Sequence, residues 1–206
     1  MKTKNYNPIV IVSAAYIAAQ MMADIASLRI VSLAGMSMDG GTLVYPFTFT
    51  LRDMVHKIAG IKAARALILA AAVINVIMAG LFWLISWLPA DLASGAQTAF
   101  VEALSPVWRI VFASILAEVI AELIDTEAYR IWVEKVTTKY QWARVLISNA
   151  VSVPLDSLVF VWAAFGGVLP TEVVWSIFLA NVIVKGITTV VSLPGIYLVK
   201  DPTVTD

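Results

Sequence analysis

The amino-acid sequence predicts an all-α integral membrane protein of six transmembrane helices. They form a single domain over residues 1–206, with a pattern that suits two inverted three-helix halves. Three observations predict it. Apolar residues make up 61% of the chain and charged residues 14%, and the mean hydropathy is +0.89, all well outside the range of soluble domains. Apolar stretches recur that are long enough to cross a hydrocarbon core of about 30 Å, which takes about 20 helical residues. Lysine and arginine gather on one side of those stretches, as they do in cytoplasmic loops.

The first span is placed at Pro8–Leu28. It is too long for the apolar region of a signal peptide and already carries Gln20 and Asp24, so it is expected to be retained. The remaining spans are Leu43–Ala59, Ala66–Leu88, Val107–Val133, Val145–Val168 and Glu172–Val199. The longest stretches between spans are Arg29–Thr42, rich in Gly, Ser and Met, and Pro89–Pro106, acidic and rich in Ala, Gly and Ser; both are expected outside. Lys2 and Lys4, then Lys57, Lys62 and Arg65, then Arg130, Lys135, Lys139 and Arg144, and finally Lys200 all fall on one side. The opposite side has Arg29 beside Asp39, Asp91, Glu102 and Glu172, so both termini are expected in the cytoplasm. Trp83, Trp87, Trp108, Trp132, Trp142 and Trp175 lie near span ends and are read as rings anchored at headgroup depth. Three spans on each side of Pro89–Pro106 give halves of opposite orientation. A faint echo links them, a proline closely followed by an aspartate: Pro46 to Asp53 and Pro154 to Asp156.

Several chemistries are disfavoured. The chain has no cysteine and one histidine, His56, which speaks against disulfides, thiol chemistry and multi-His zinc sites. It has no Gly-rich phosphate loop and therefore no ATPase of its own. Neither a cofactor nor a nucleic-acid partner is expected; the bilayer is its solvent.

Function is carried by the polar residues inside the spans. Helical spacing aligns Ser13, Tyr16, Gln20, Asp24 and Ser27 in span one, Phe49 and Asp53 with His56 or Lys57 in span two, and Ser114, Glu118, Glu122, Asp125 and Tyr129 in span four. Span five aligns Asn149, Ser152, Asp156 and Phe160; span six aligns Asn181, Lys185, Thr188 and Ser192. A central polar cavity is expected among these five spans. Span three, with Asn75 its exception, is left to face lipid or a partner, a homodimer being the simplest form. Each charge also has a plainer reading. Asp53 and Lys57 can pair along one helix, Lys57 and Arg109 can snorkel to the headgroups, and His56 suits a hydrogen-bonded neutral imidazole. Lys185 needs a carboxylate partner, Asp156 or Glu122, and such a pair can hold the bundle together without further role. Pro154 and Pro194 free backbone carbonyls inside spans. Intramembrane ionisable residues are nonetheless functional by default, and Glu122, Asp125, Asp156 and Lys185 are read that way. The expected class is a small transporter. The enzyme alternative is an intramembrane hydrolase using Glu118, Glu122 and His56.

The motifs Pro46-Phe47-Thr48-Phe49 leading to Asp53, then Gly60 and Ala64-Arg65, resemble the first signature of the YhhQ-type, or VUT, queuosine-precursor transporters. Glu122-Leu123-Ile124-Asp125-Thr126, Asp156-Ser157-Leu158-Val159-Phe160, and Lys185 followed by Leu193-Pro194-Gly195-Ile196-Tyr197 look like its later signatures, in order from Tyr45 to Tyr197. The resemblance implies a six-helix importer of the bacterial inner membrane that carries 7-deazaguanine bases, the cyano base preQ0 and the aminomethyl base preQ1. It carries over Asp53, Glu122, Asp125, Asp156 and Lys185 as site positions. His56-Lys57 departs from the acidic residue of many relatives and Val153 from the asparagine of some, which bears on substrate choice. The chemistry suits such a ligand. A carboxylate accepts from the N–H and amino group on one edge of the base, and Lys185 or Asn181 donates to its carbonyl. Phe49, Phe160 or Trp162 offers a stacking face, and Gln20 adds a polar side chain from span one. The alternative within transport is a substrate-binding subunit of an energy-coupling-factor vitamin importer, with Ala14-x-x-x-Ala18 as its close helix contact.

Overall fold

The computed structural model describes residues 8–135 and 141–197; within these, the side chains of Phe49, Asp53, His56, Lys57, Glu122 and Asp125, among others, lie outside the description. The chain divides into two compact units, Met1–Ile115 and Leu116–Asp206. Their boundary falls within a helix and not in the Pro89–Pro106 loop, where the two expected halves meet.

In the first unit, α1 (Pro8–Ala26) is followed by a hairpin of β1 (Ile30–Leu33) and β2 (Met36–Asp39), a 3-10 turn at Gly40–Leu43, α2 (Tyr45–Ala59) and α3 (Ile61–Trp87). A second 3-10 turn at Leu92–Ser94 and the short α4 (Thr98–Leu104) lead to α5 (Val107–Lys135), which ends in the second unit. The second unit continues with α6 (Gln141–Phe165) and α7 (Thr171–Tyr197), which pack against each other. Each expected span overlaps a helix within the described residues. By length and composition, four stretches among the described residues can cross a membrane: Pro8–Ala26, Lys62–Trp87, Thr98–Ala121 and Thr171–Val191. Asn149–Phe165 is a shorter apolar helix. The 15 residues of α2 cover about 22 Å at 1.5 Å per residue, less than a full hydrocarbon core. It is shorter than the expected Leu43–Ala59 because Gly40–Leu43 winds as a 3-10 turn and α2 begins at Tyr45.

Arg29–Thr42 is where the chain departs most from expectation, since what reads as a loop is a folded strap. Ile30 pairs with Asp39 and Leu33 with Met36, and the turn residues Ala34 and Gly35 have φ of 51° and 79°. Two successive positive φ values match the twist of a tight hairpin turn. Asp39 then caps the 3-10 turn: its Oδ1 accepts from Thr42 N at 3.1 Å and from Ser27 Oγ at 2.8 Å, and its Oδ2 accepts from Thr42 Oγ1 at 2.8 Å. The strap is thereby tied to the end of α1. Gly41 permits the approach, because a Cβ there would overlap Ser27 Oγ and lie 2.6 Å from the Ala23 carbonyl oxygen. Gly60 serves differently. With φ of 82° and open space where a Cβ would stand, it supplies the left-handed residue that turns α2 directly into α3.

The core of this unit is helix packing that mixes alanines with larger apolar side chains. Val12 and Tyr16 of α1 meet Val55 of α2 and Leu67 and Ala71 of α3, while Met78 and Ala79 of α3 meet Val107 and Val111 of α5. Ala19 and Ala23 of α1 are buried, whereas Ala14 and Ala18 lie on its exposed face. Leu69, Val73, Val76, Ile77, Leu81 and Leu84 of α3 are exposed, in keeping with a lipid-facing side. Trp83 and Trp87 stack near the end of α3 with ring centroids 6.3 Å apart, and Trp108 and Trp175 are exposed near the starts of their helices. This is the placement expected of interfacial anchors. Trp132 and Trp142 lie outside the described side chains.

Candidate functional site

In the second unit, α6 and α7 bring two of the candidate charges together. Lys185 Nζ donates to Asp156 Oδ2 in an ion pair whose side chains are 7% and 20% exposed. Of the two carboxylates that the sequence offered to Lys185, the structure shows Asp156 taking it. One turn before Lys185, Asn181 is fully buried; one turn after Asp156, Phe160 is buried on the same face. Phe160 meets Phe165 edge-on at 5.9 Å. Trp162 stands about 240° round the helix from Asp156, at 100° per residue, and is exposed. There it meets Trp175 edge-on at 5.9 Å, and Trp175 in turn meets Phe178 at 5.4 Å. Of the aromatic candidates described, Phe160 therefore shares the face of the ion pair and Trp162 does not.

Two local features shape this face. Pro154 sits inside α6, two residues before Asp156, and lacks the N–H that would bond the Ala150 carbonyl, so an acceptor is freed within the helix. Ser157 is fully buried, and its hydroxyl has no hydrogen-bond partner among the described residues. The arrangement can do what a buried ion pair does when a ligand arrives: present an acceptor and a cationic donor side by side, with an apolar ring a turn away.

In the first unit, Gln20 Nε2 donates to Tyr16 Oη at 2.9 Å, a bond along α1. Asp24, next in the same stripe, accepts from Asn75 Nδ2 of α3 at 2.6 Å and from Ser114 Oγ of α5 at 3.0 Å. Sequence reasoning placed Asp24 and Ser114 in stripes without joining them, and it set Asn75 aside as the polar exception in an apolar span. That exception was the available signal, because a lone asparagine in such a span needs a partner on a neighbouring helix. Span three is accordingly polar-bonded at Asn75 while its exposed face is apolar. Phe49, Asp53, Glu122 and Asp125, with His56 and Lys57, lie outside the described side chains; Glu118 is half-buried.

Long apolar helices with a buried pair of ionisable side chains fit a multi-pass membrane protein of the transporter class. Residues 39–199 match the family described as "Putative vitamin uptake transporter", and the chain belongs to that family. It is also similar to a protein of Bacillus subtilis (strain 168) named "Probable queuosine precursor transporter", with 24% identity over 185 residues that cover 88% of this chain and 80% of that one. No solved structure matches it. The protein is thus a transporter and not an enzyme, and the hydrolase reading of Glu118, Glu122 and His56 falls with that membership.

Proposed function

We propose that this protein imports 7-deazaguanine precursors of queuosine, preQ0 and preQ1, across a bacterial inner membrane. The observation that carries the reading is the buried Asp156–Lys185 pair with Asn181 and Phe160 each one turn away, in a family of transporters whose similar Bacillus subtilis member bears a queuosine-precursor name. A base that offers N–H groups to Asp156 and a carbonyl to Lys185 exchanges one internal ion pair for two ligand contacts and strands neither charge. Its ring lies against Phe160, and Asn181 supplies a second polar contact for the carbonyl. Asp53, Glu122 and Asp125 keep the role their motifs imply, with Phe49 and Gln20 as further contacts. A carboxylate beyond Asp156 suits the cationic aminomethyl group of preQ1. The Lys/Arg bias supports six crossings with both termini in the cytoplasm.

Binding of preQ0, preQ1, guanine and common vitamins to the purified protein tests the reading. Either 7-deazaguanine base should bind and the vitamins should not; a vitamin that binds while both bases fail overturns it. The exposed Ala14 and Ala18 on α1 favour one second reading, a substrate-binding subunit that docks on a separate ATP-driven module. Uptake by this chain alone in liposomes excludes that reading, and dependence on an added ATPase module establishes it.

A further inference from the structure

The first unit holds a buried polar network that the proposed base site does not use. Asp24, 2% exposed, lies in the last turns of α1. Asn75, at the middle of α3, and Ser114, in the first turns of α5, donate to its two oxygens at 2.6 and 3.0 Å. Three helices thus converge on one carboxylate inside an apolar bundle. Around it Ala23, Ala79 and Ala113 are buried small residues, which let the helices approach closely.

One atom in this network is out of place. Asn75 is 7% exposed, and its Oδ1 has no hydrogen-bond partner among the described residues, although its Nδ2 bonds Asp24. A buried amide oxygen without a partner is costly, and natural structures rarely retain one without a reason. Half a turn of the amide exchanges its ends and faces Oδ1 toward Asp24 Oδ2. Two oxygens at such separation repel unless something positive stands between them. A proton on Asp24 meets the need by donating to Asn75 Oδ1. A sodium ion meets it by taking Asp24, Asn75 Oδ1 and the Ser114 hydroxyl oxygen as ligands, all hard oxygen donors of the kind such cations select. The amide thus has one orientation for the empty carboxylate and another for the occupied one, and each leaves the carboxylate bonded.

We propose that Asp24, Asn75 and Ser114 form a binding site for a monovalent cation, sodium or a proton. Asn75 lies at the middle of α3, a helix long and apolar enough to cross a membrane, and secondary transporters hold coupling ions at such depth. The inference does not rest on which base is transported. Other charged groups stand on the elements that reach Asp24. They are Asp39, held by Ser27 and Thr42; Arg52, Asp53, His56 and Lys57 on α2; exposed Lys62 and Arg65 at the start of α3; and Arg109 and Glu118 on α5. Only the Asp24-dependent part of any response therefore counts.

The test is thermal unfolding of the purified full chain without any base. Sodium chloride is titrated against choline chloride at constant ionic strength and pH, and pH is titrated separately without sodium. Asp24→Asn serves as reference, since its amide donates to Asn75 Oδ1 and imitates the occupied state, so it should fold. For a sodium site, the native protein gains a few degrees in Tm with each tenfold rise in sodium above the dissociation constant, Asp24→Asn shows no gain, and Ser114→Ala needs several-fold more sodium. For a proton site, the native and Asp24→Asn stabilities diverge as pH rises, with no sodium effect, and Ser114→Ala, which removes a donor to the carboxylate, moves that divergence to higher pH. If Asp24→Asn follows the native protein in both titrations, the proposal is overturned. Because no base is present, failure here is separate from failure of the base site.

Discussion

Replacing Lys185 with methionine isolates the energetics of the α6–α7 ion pair. The two side chains are 7% and 20% exposed, so the pair is largely removed from water. Methionine keeps an unbranched apolar stem in the place of the lysine stem, and the chief loss is the positive charge. Removing one member of a buried pair costs about 3–5 kcal/mol, because the remaining charge is left uncompensated. The residual exposure of Asp156 lets that carboxylate hydrate in part, which places the expected cost at the lower end, about 3 kcal/mol. Adding Asp156→Asn removes the stranded charge, and the double variant should return to within about 1 kcal/mol of the native stability. The coupling in this double-mutant cycle is then about 2 kcal/mol or more. Hydrogen bonds between helices in a membrane protein average about 0.6 kcal/mol, so the cycle separates a charged pair from an ordinary polar contact. The assay is reversible unfolding of the four proteins in mixed micelles, together with uptake by each in proteoliposomes. Lys185→Met should lose uptake, and the double variant should fold and still not transport. A coupling at or below about 0.6 kcal/mol refutes the charged pair. Native-rate uptake by Lys185→Met refutes the base site and leaves the lysine a packing role.

Three further outcomes are expected. Tags fused to either terminus should report from the cytoplasm, and a periplasmic signal from either end removes the six-crossing topology. Guanine analogues that lack the carbonyl or the amino group should bind more weakly by about 1–3 kcal/mol, roughly 5- to 150-fold in dissociation constant, since each leaves a buried partner unmet; equal affinity across the series counts against contact with Asp156 and Lys185. Gly41→Ala should destabilise the first unit by about 1–3 kcal/mol, because the new methyl overlaps Ser27 Oγ at the tie between strap and α1; Ser27→Ala in the same chain should restore part of that loss, and an unchanged melting temperature in Gly41→Ala would show that the strap is not held there.

Helix placement was legible because it depends on a local property. Stretches such as Ala66–Leu88 and Glu172–Val199 are apolar over a length that membranes demand, and α3 and α7 cover their described residues up to Trp87 and Tyr197. The strap at Arg29–Thr42 was not legible. Its strands are only four residues each, too short for alternation to stand out, and it is held by Asp39 reaching Ser27, twelve positions away. The length of α2 was misjudged for the same reason, since the 3-10 turn that Asp39 caps takes up the residues where the helix was expected to begin.

The candidate site divides in the same way. That Lys185 needed a buried carboxylate follows from the cost of an unmet charge at that depth, which the sequence alone determines. The apolar helices of a membrane protein follow likewise from composition and run length. Which carboxylate answers Lys185 depends on how α6 packs against α7, and a period of 3.6 residues in one helix contains nothing about the rotation of its neighbour. Asn75 shows the limit most clearly. In the sequence it is one polar residue in an apolar span, and only the crossing of α1, α3 and α5 places it on Asp24 beside Ser114. Local patterns report what a segment must bury or expose, whereas partner choice is decided by helix rotations and close approaches that many small side chains set together.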